Sequence, residues 1–490
     1  MNIVWGISGL FHDAAISVIQ DNRVVFASSA ERYSRIKNDK HLNSALINDC
    51  LLYGIPDNIA WYETPYKKML RRLIIDKKIA IYNPSNYISG FNLNAKISFI
   101  DHHKSHLYSS LLTSPFDINN TLGVVIDSVG EFATISIWDI QDLKHIKKLY
   151  TQYYPNSLGL FYSAITDLIG LKPLEDEYIL MGMASYANTD RYYKFFKEKF
   201  FYKNNLIFDC RYGCHGIFSR KEIQHNRFNI ALGAQLVFEE ILNNLIDSFL
   251  QKTKYTKIIY AGGCALNCRA NSLILDRVED MWIYPNPGDA GASLGAALAL
   301  TQTPVRIDNM FTGYDAGSIA NINEIIDILS KDFIVGVING RAEFGPRALG
   351  NRSILADPRN KNVQSMVNKI KGRELFRPFA PAVLKQYCED YFQIKANLDN
   401  YKFMQYTARC IQPEKIPGAV HVDGTSRIQV VDESNPFLYK ILLSWYEKTG
   451  IPVLLNTSLN YRGKPLINKI DEIDELENRK IKIVTPTRCL

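Results

Sequence analysis

The chain opens on short apolar runs of strand length. Residues 2–9, 15–20 and 24–28 alternate or run apolar between turn residues, which predicts a three-strand meander followed by helices. The pattern returns at 118–139, where 122–126 run apolar, Ser128-Val129-Gly130-Glu131 reads as a tight turn and 134–138 as the return strand. This repetition predicts two related α/β lobes. From about 140 to 250 the chain is richer in Tyr, Phe and Lys and reads as a mostly helical insertion bearing an acceptor surface. A buried strand at 257–261 then runs into Gly262-Gly263, and 289–297 is a helix start made of small residues, suited to close packing beneath a ligand. Residues 301–330, with Pro304, Gly313 and Gly317, read as a connector to a further unit that begins near 331.

Against that frame one short segment carries chemistry. In Asp101-His102-His103-Lys104-Ser105-His106 a helix places His102 and His106, four residues apart, on one face. Two imidazoles aimed at one point are half a site for a first-row metal. Acids at the ends of apolar runs, Asp127 and Asp289, supply hard ligands to complete a His2Asp2 set for Fe(II), Mn(II) or Zn(II).

Composition changes this picture little: 490 residues, 47% hydrophobic and 22% charged, suit a globular chain of two or three domains. No apolar stretch has the length of a membrane span and no leader-like segment follows Met1, so the expected location is cytoplasmic. Eight scattered cysteines predict reduced thiols, although Cys210/Cys214 and Cys264/Cys268, with His215, have spacings from which a zinc site can be built. The net charge of +7 does not by itself demand a polyanion. Its distribution says more: basic and aromatic residues mix at 66–78, 144–154 and 191–203, as phosphate neutralisation with base stacking requires.

The second unit is chemically distinct. Residues 340–353 hold three arginines, Arg341, Arg347 and Arg352, on a frame of three glycines, which suits bidentate recognition of phosphate. Arg373 and Arg377 extend the set, and Asn456-Thr457-Ser458-Leu459-Asn460 adds amide and hydroxyl donors.

Taken in order, these motifs resemble the O-carbamoyltransferases, the group related to nodulation-factor, aminoglycoside, cephem and ansamycin carbamoyltransferases. The likeness runs nearly end to end. It rests on Gly6-Ile7-Ser8-Gly9 with His12-Asp13-Ala14-Ala15, Glu31-Arg32-Tyr33-Ser34-Arg35 with Lys37 and Lys40, the His102/His106 pair, and Met181-Gly182-Met183-Ala184. It continues through Gly262-Gly263 with Asn267, Asn286-Pro287-Gly288-Asp289, Gly345-Pro346-Arg347-Ala348-Leu349-Gly350, Arg377-Pro378-Phe379-Ala380-Pro381 and 456–460.

The resemblance implies an α/β fold: an actin-like (ASKHA, Kae1-like) two-lobed domain at 1–320 followed by an α/β YrdC-like domain at 331–490. It implies that the C-terminal domain makes carbamoyl-adenylate and pyrophosphate from carbamoyl phosphate and ATP, with Mg2+ accompanying the nucleotide. The N-terminal domain would pass the carbamoyl group to an acceptor hydroxyl beside a metal, usually iron. By position, His102, His106, Asp127 and Asp289 match metal ligands. Gly262, Gly263 and Asn267 match the adenylate site, to which Lys37 is added, and Arg347, Arg352 and Arg377 match the carbamoyl-phosphate and ATP site. Arg341, Asn456, Thr457 and Ser458 stand as further nucleotide contacts, and His12 with Asp13 as the base for the acceptor proton or as a turn that bonds its own backbone. Lys464 and Ala187 depart from the family pattern. The basic clusters favour a hydroxymethyl pyrimidine of DNA, such as 5-hydroxymethylcytosine, as acceptor; the alternatives are a small natural product or sugar, or a tRNA-bound adenosine modified by a threonylcarbamoyl-type transferase. No membrane partner is expected, and a homodimer is the default assembly.

Overall fold

The apolar runs become strands because each is buried on at least one face. The structure is a computed structural model and describes residues 2–75, 82–200, 217–319, 321–473, 476 and 481–486. The chain forms two compact units, the first from residues 1–8, 17–23 and 54–306 and the second from 9–16, 24–53 and 307–490. The second unit thus starts near 307 and recruits two N-terminal excursions, where the sequence reading had one contiguous N-terminal domain to 320.

In the first unit, β1 (Ile3–Ser8) lies between β2 (Ala15–Gln20) and the parallel β3 (Asn58–Trp61), with β4 (Lys96–Phe99) parallel beyond. A second sheet repeats the plan. There β5 (Thr121–Gly130) is flanked by the antiparallel β6 (Ala133–Ile140) and β7 (Ile146–Tyr153) on one side, and by the parallel β8 (Lys257–Ala261) and β9 (Asp280–Ile283) on the other. The two sheets thus share one strand order, a central strand with an antiparallel side and a parallel side. The helical segment begins later than 140, because 146–153 complete the sheet as β7. It comprises α3 (Leu158–Leu168), α4 (Arg191–Phe200) and the long α5 (Arg220–Thr253), following α1 (Pro65–Ile75) and α2 (His102–Leu111).

The helix α6 (Asp289–Thr301) packs against α2 and against β1, and glycine makes both approaches possible. A Cβ on Gly295 would stand 1.7 Å from the Ser105 carbonyl oxygen, and one on Gly6 1.8 Å from that of Ser293. Gly295→Ala is therefore expected to push α6 off the histidine helix, lowering stability by about 3 kcal/mol or more in a urea or thermal unfolding measurement.

In the second unit, a six-stranded sheet contains β11 (Ile334–Ile338), β13 (Arg352–Ala356), β14 (Ala380–Leu384), β15 (Gln429–Val431), β16 (Val453–Ser458) and β17 (Ile483–Val484), in the order β15-β14-β16-β13-β11-β17. A smaller ladder pairs β10 (Phe311–Asp315) with β12 (Arg341–Glu343). The helices α7 (Ile322–Asp332) and α9 (Pro436–Thr449) bury Ile325, Leu329, Leu438, Ile441 and Trp445 against Val335, Leu355 and Leu454 of the sheet, while α8 (Val363–Ile370) leads into the loop that carries Lys371, Arg373 and Arg377. Among the described residues no helix is long and apolar enough to cross a membrane.

Candidate metal centre and phosphate site

Asp101 caps α2, its Oδ1 accepting the Lys104 N–H at 3.3 Å, and so fixes the start of the helix that carries both histidines. The ring of His102 lies on Gly130, where a Cβ would come within 2.0 Å of His102 Cδ2. Asp127 sits where the β5–β6 register shifts after Ile126, and Asp289 opens α6. His102, His106, Asp127 and Asp289 are all buried, and one ligand atom from each lies within 4.8 Å of every other. The Nε2 atoms of the two histidines are 3.1 Å apart; His102 Nε2 is 3.3 Å from Asp127 Oδ2, and His106 Nε2 is 3.3 Å from Asp289 Oδ1. A four-coordinate ion with ligands at about 2.1 Å separates neighbouring ligands by about 3.4 Å, so the donor set fits such an ion.

The surrounding backbone orients these ligands. Pro287 O accepts from the Gly262 N–H at 3.0 Å and lies 3.0 Å from His106 Nδ1, which leaves His106 Nε2 as the donor atom toward the centre. The Gly263 N–H donates to Asp127 Oδ1 at 3.2 Å. Gly262 has φ of +94°, and a Cβ there would meet the Ile126 carbonyl oxygen at 2.2 Å. In this structure Gly263 thus braces Asp127 directly, and Gly262 braces Pro287 O, which faces His106. Burial alone would lower the pKa of His102, but its bond to Asp127 and the charges of Asp289 and Glu63 raise it to about 9. His103, between the pair, turns to Ser136 Oγ at 2.7 Å and is pushed down to about 3 by burial and by its two neighbours.

Asn267 is committed to the fold. Its Nδ2 donates to Gln235 Oε1 at 3.0 Å, while its Oδ1 accepts from Gln235 Nε2 and, at 3.1 Å, from the Ala270 N–H that it caps. Of the CxxxC pairs, Cys264 and Cys268 are free thiols, and Cys210, Cys214 and His215 lie outside the described residues.

In the second unit, Asp13 takes a left-handed backbone with φ of +44° and bonds the side chain of its neighbour, His12 Nδ1 to Asp13 Oδ2 at 2.8 Å. Asn38 donates to Asp13 Oδ1 at 2.7 Å. Burial raises the Asp13 carboxyl, yet the His12 bond and charge, with Asn38 and Lys37, hold it below the usual carboxylate range. His12 is thus an imidazole oriented by a carboxylate, the geometry of a general base.

The arginines divide by role. Arg352 is wholly buried and donates to the backbone carbonyls of Asn468, Asn339, Gly340, Asn351 and Tyr314, and burial lowers its pKa to about 10. Arg341 likewise holds the carbonyls of Gly313, Val25 and Thr312. Both brace the frame in this structure, whereas Arg347 is half-buried on the loop itself. That loop is shaped by Glu343 Oε1, which accepts from the N–H groups of Leu349 at 2.8 Å, Asn351 at 2.9 Å and Arg352 at 3.3 Å. Asn456 of β16 holds it from the other side, its Nδ2 donating to Ala348 O at 3.2 Å.

Two residues further along β16, on the same face, Ser458 meets a residue the sequence reading missed. The ammonium of Lys371 is buried and bonds the Ser458 carbonyl, Ser458 Oγ at 3.1 Å and Asn460 Oδ1 at 2.6 Å. Burial first, then Arg373 and Arg377, pushes its pKa well below the ordinary lysine value. Arg373 is steadied by Asn368 Oδ1 at 2.6 Å and by the Phe379 ring, and Arg377 by Glu374 at 2.9 Å. Three cations this close favour an anionic ligand. The signal available was the triplet Lys371-Gly372-Arg373 read together with Ser458 and Asn460. Thr457, between them, points to the opposite face of β16.

The basic and aromatic clusters have other uses than the one expected. Lys67 pairs with Asp101 at 2.8 Å and Glu131 at 3.1 Å, Lys68 with Glu63 at 2.5 Å, and Lys197 with Glu240 at 2.5 Å. Tyr192, Phe196 and Phe200 are core residues, and Lys148 lies over Trp138. Lys77, Lys78 and 201–203 fall outside the described residues.

Comparison with known proteins agrees with this chemistry. The family description "Carbamoyltransferase N-terminus" matches residues 66–298, and "Carbamoyltransferase C-terminus" matches 326–486. The chain is 30% identical to nodulation protein NolNO of Sinorhizobium fredii over 94% of this chain and 75% of that one. It is 27% identical to nodulation protein U of the same organism over 93% of each, and 31% identical to an uncharacterized Synechocystis protein over 95% and 92%. Among solved structures, full-length HypF in its phosphate- and nucleotide-bound form aligns over 61% of this chain and 55% of its own at 13% identity and a TM-score of 0.41, too distant to carry an arrangement across. With both family regions matched in order and relatives aligned along almost the whole length, the chain belongs to the carbamoyltransferase family and is a carbamoyltransferase.

Proposed function

We propose that the protein is an ATP-dependent O-carbamoyltransferase working in two steps, with an actin-like, Kae1-like first unit and a YrdC-like second unit. The observation that carries this reading is the pairing of a buried His2Asp2 cluster in one unit with the Lys371, Arg373 and Arg377 cations in the other. In the second unit Lys371 and the arginines, with Arg347 on its loop, bind and orient carbamoyl phosphate and ATP. Atom balance for carbamoyl-adenylate then consumes one water and releases one phosphate and one pyrophosphate per turnover. The adenylate supplies the good leaving group that an amide-stabilised carbonyl lacks.

In the first unit, His102, His106, Asp127 and Asp289 would hold a divalent ion, read as Fe(II). Such an ion acts as a Lewis acid toward the carbonyl oxygen, typically lowering the barrier by several kcal/mol. Pro287 O and the Gly263 N–H keep His106 and Asp127 in ligating orientation. Transfer forms the bond from the acceptor oxygen to the carbamoyl carbon, and AMP leaves; His12 of the second unit, oriented by Asp13, is the candidate base for the acceptor proton.

For the acceptor, a small natural product or sugar becomes the first reading, because Lys67, Lys68 and Lys197, three of the cations that suggested a polyanion, are held by acids of the fold. The test is to offer the enzyme, ATP and carbamoyl phosphate a panel of sugars and small hydroxyl compounds alongside DNA containing 5-hydroxymethylcytosine, and to look by mass spectrometry for a gain of one carbamoyl group. Gain on the small acceptors alone is expected. Gain on the DNA nucleoside alone would restore the DNA reading, and, in a parallel incubation with tRNA, gain on an adenosine amine would replace O-transfer by N-transfer.

A further inference from the structure

The helix α1 is built inside out. Tyr66, Met69, Leu70, Leu73 and Ile74 are 38 to 68% exposed, while Lys68 and Arg71 of the same helix are 1% and 9% exposed. Burying lysine while leaving leucine in water opposes the hydrophobic effect, so something on the inner side must favour the cations. That something is a layer of acids around the histidine helix. Lys68 reaches Glu63, which also accepts from the Tyr82 hydroxyl, and Lys67 reaches both Asp101 and Glu131.

One partner of Lys67 precedes a residue of the metal cluster in the chain, and the other follows the glycine against which that residue packs. Asp101 is the cap of α2 and the neighbour of His102. Glu131, with a left-handed backbone at φ of +56°, follows Gly130, the residue on which the His102 ring rests and the last of β5, the strand that carries Asp127; the tight turn expected at 128–131 thus comes later, at Glu131 and Phe132. Glu131 Oε1 also accepts the Thr64 N–H at 2.6 Å, tying the turn to the start of α1.

We propose that Lys67 is a positioning residue of the metal centre: its ammonium clamps the cap of the histidine helix to the end of β5, the strand that carries Asp127, fixing the separation of His102 and Asp127. This rests on the reading of the four-residue cluster as a metal site. With Asp101, Glu131 and Glu63 answered by lysines of α1, the two ligand carboxylates are left for the ion to neutralise.

The probe is Co(II), whose affinity is measured by chelator competition and whose visible spectrum reports ligand geometry, on wild type, Lys67→Met, Lys67→Arg and Glu131→Gln. Lys67 is one-third exposed, so the methionine variant should fold, and its melting temperature is recorded alongside. Expected are a 10- to 100-fold weaker Co(II) affinity and a shifted spectrum in Lys67→Met, a change of the same sign in Glu131→Gln, and recovery in Lys67→Arg. Wild-type affinity and spectrum in both Lys67→Met and Glu131→Gln would overturn the proposal. His106→Ala separates the two readings: if it too binds Co(II) like wild type, the metal site itself is misassigned, and if it alone loses Co(II), only the clamp is.

Discussion

His106→Ala is expected to lose its divalent ion and with it carbamoyl transfer, while pyrophosphate release from ATP and carbamoyl phosphate stays within about twofold of wild type. His106 supplies one of four converging ligand atoms, and its other ring nitrogen lies 3.0 Å from Pro287 O, so its removal opens the cluster. If the ion lowers the transfer barrier by several kcal/mol, the loss is roughly a thousandfold or more, at 1.36 kcal/mol per factor of ten. Elemental analysis of the purified variant reads the ion, and a coupled pyrophosphate assay reads the other step. Equal loss of both activities would join the two clusters into one site.

The second large effect separates arginines that look alike in the sequence. Arg347→Ala is expected to keep the fold and reduce pyrophosphate formation by about a hundredfold or more, because in the proposed function its guanidinium binds phosphate where charge moves. Arg352→Ala is expected to fail differently. Five carbonyls would lose their donor, at about 1 to 3 kcal/mol for each one left buried and unpaired, so loss of stability should precede any kinetic defect. Urea unfolding of the two variants beside their initial rates decides the matter. An unstable Arg347→Ala with a stable but inactive Arg352→Ala would reverse the roles assigned to them.

The contrast shows what a sequence makes legible. Helical spacing predicts that His102 and His106 share a face whatever surrounds them, and a carboxylate ending an apolar run, like Asp127 or Asp289, sits at the mouth of a sheet by topology. Those inferences need only local geometry. The role of Arg352 depends on carbonyls supplied by residues such as Asn468 and Tyr314, which no local pattern brings together. Lys371 reads as a surface lysine at a helix end until Ser458 and Asn460 close over it. The α1 helix misleads outright, since its apolar stripe faces outward while Lys68 and Arg71 are buried. The clusters at 66–78 and 191–203 suggested nucleic acid because the acids that answer some of their cations are not local. Lys67 and Lys197 pair with Asp101, Glu131 and Glu240, which lie far along the chain.

The two-step order is tested most directly by enzyme stripped of the ion of its His2Asp2 cluster and incubated with carbamoyl phosphate, ATP and Mg2+, quenched and analysed by mass spectrometry. Carbamoyl-adenylate accumulating with one equivalent each of phosphate and pyrophosphate, and discharged to AMP and carbamoylated acceptor only when the cluster ion and acceptor are restored, is the expected result. ADP in place of pyrophosphate, or no adenylate until the cluster ion is returned, would contradict it.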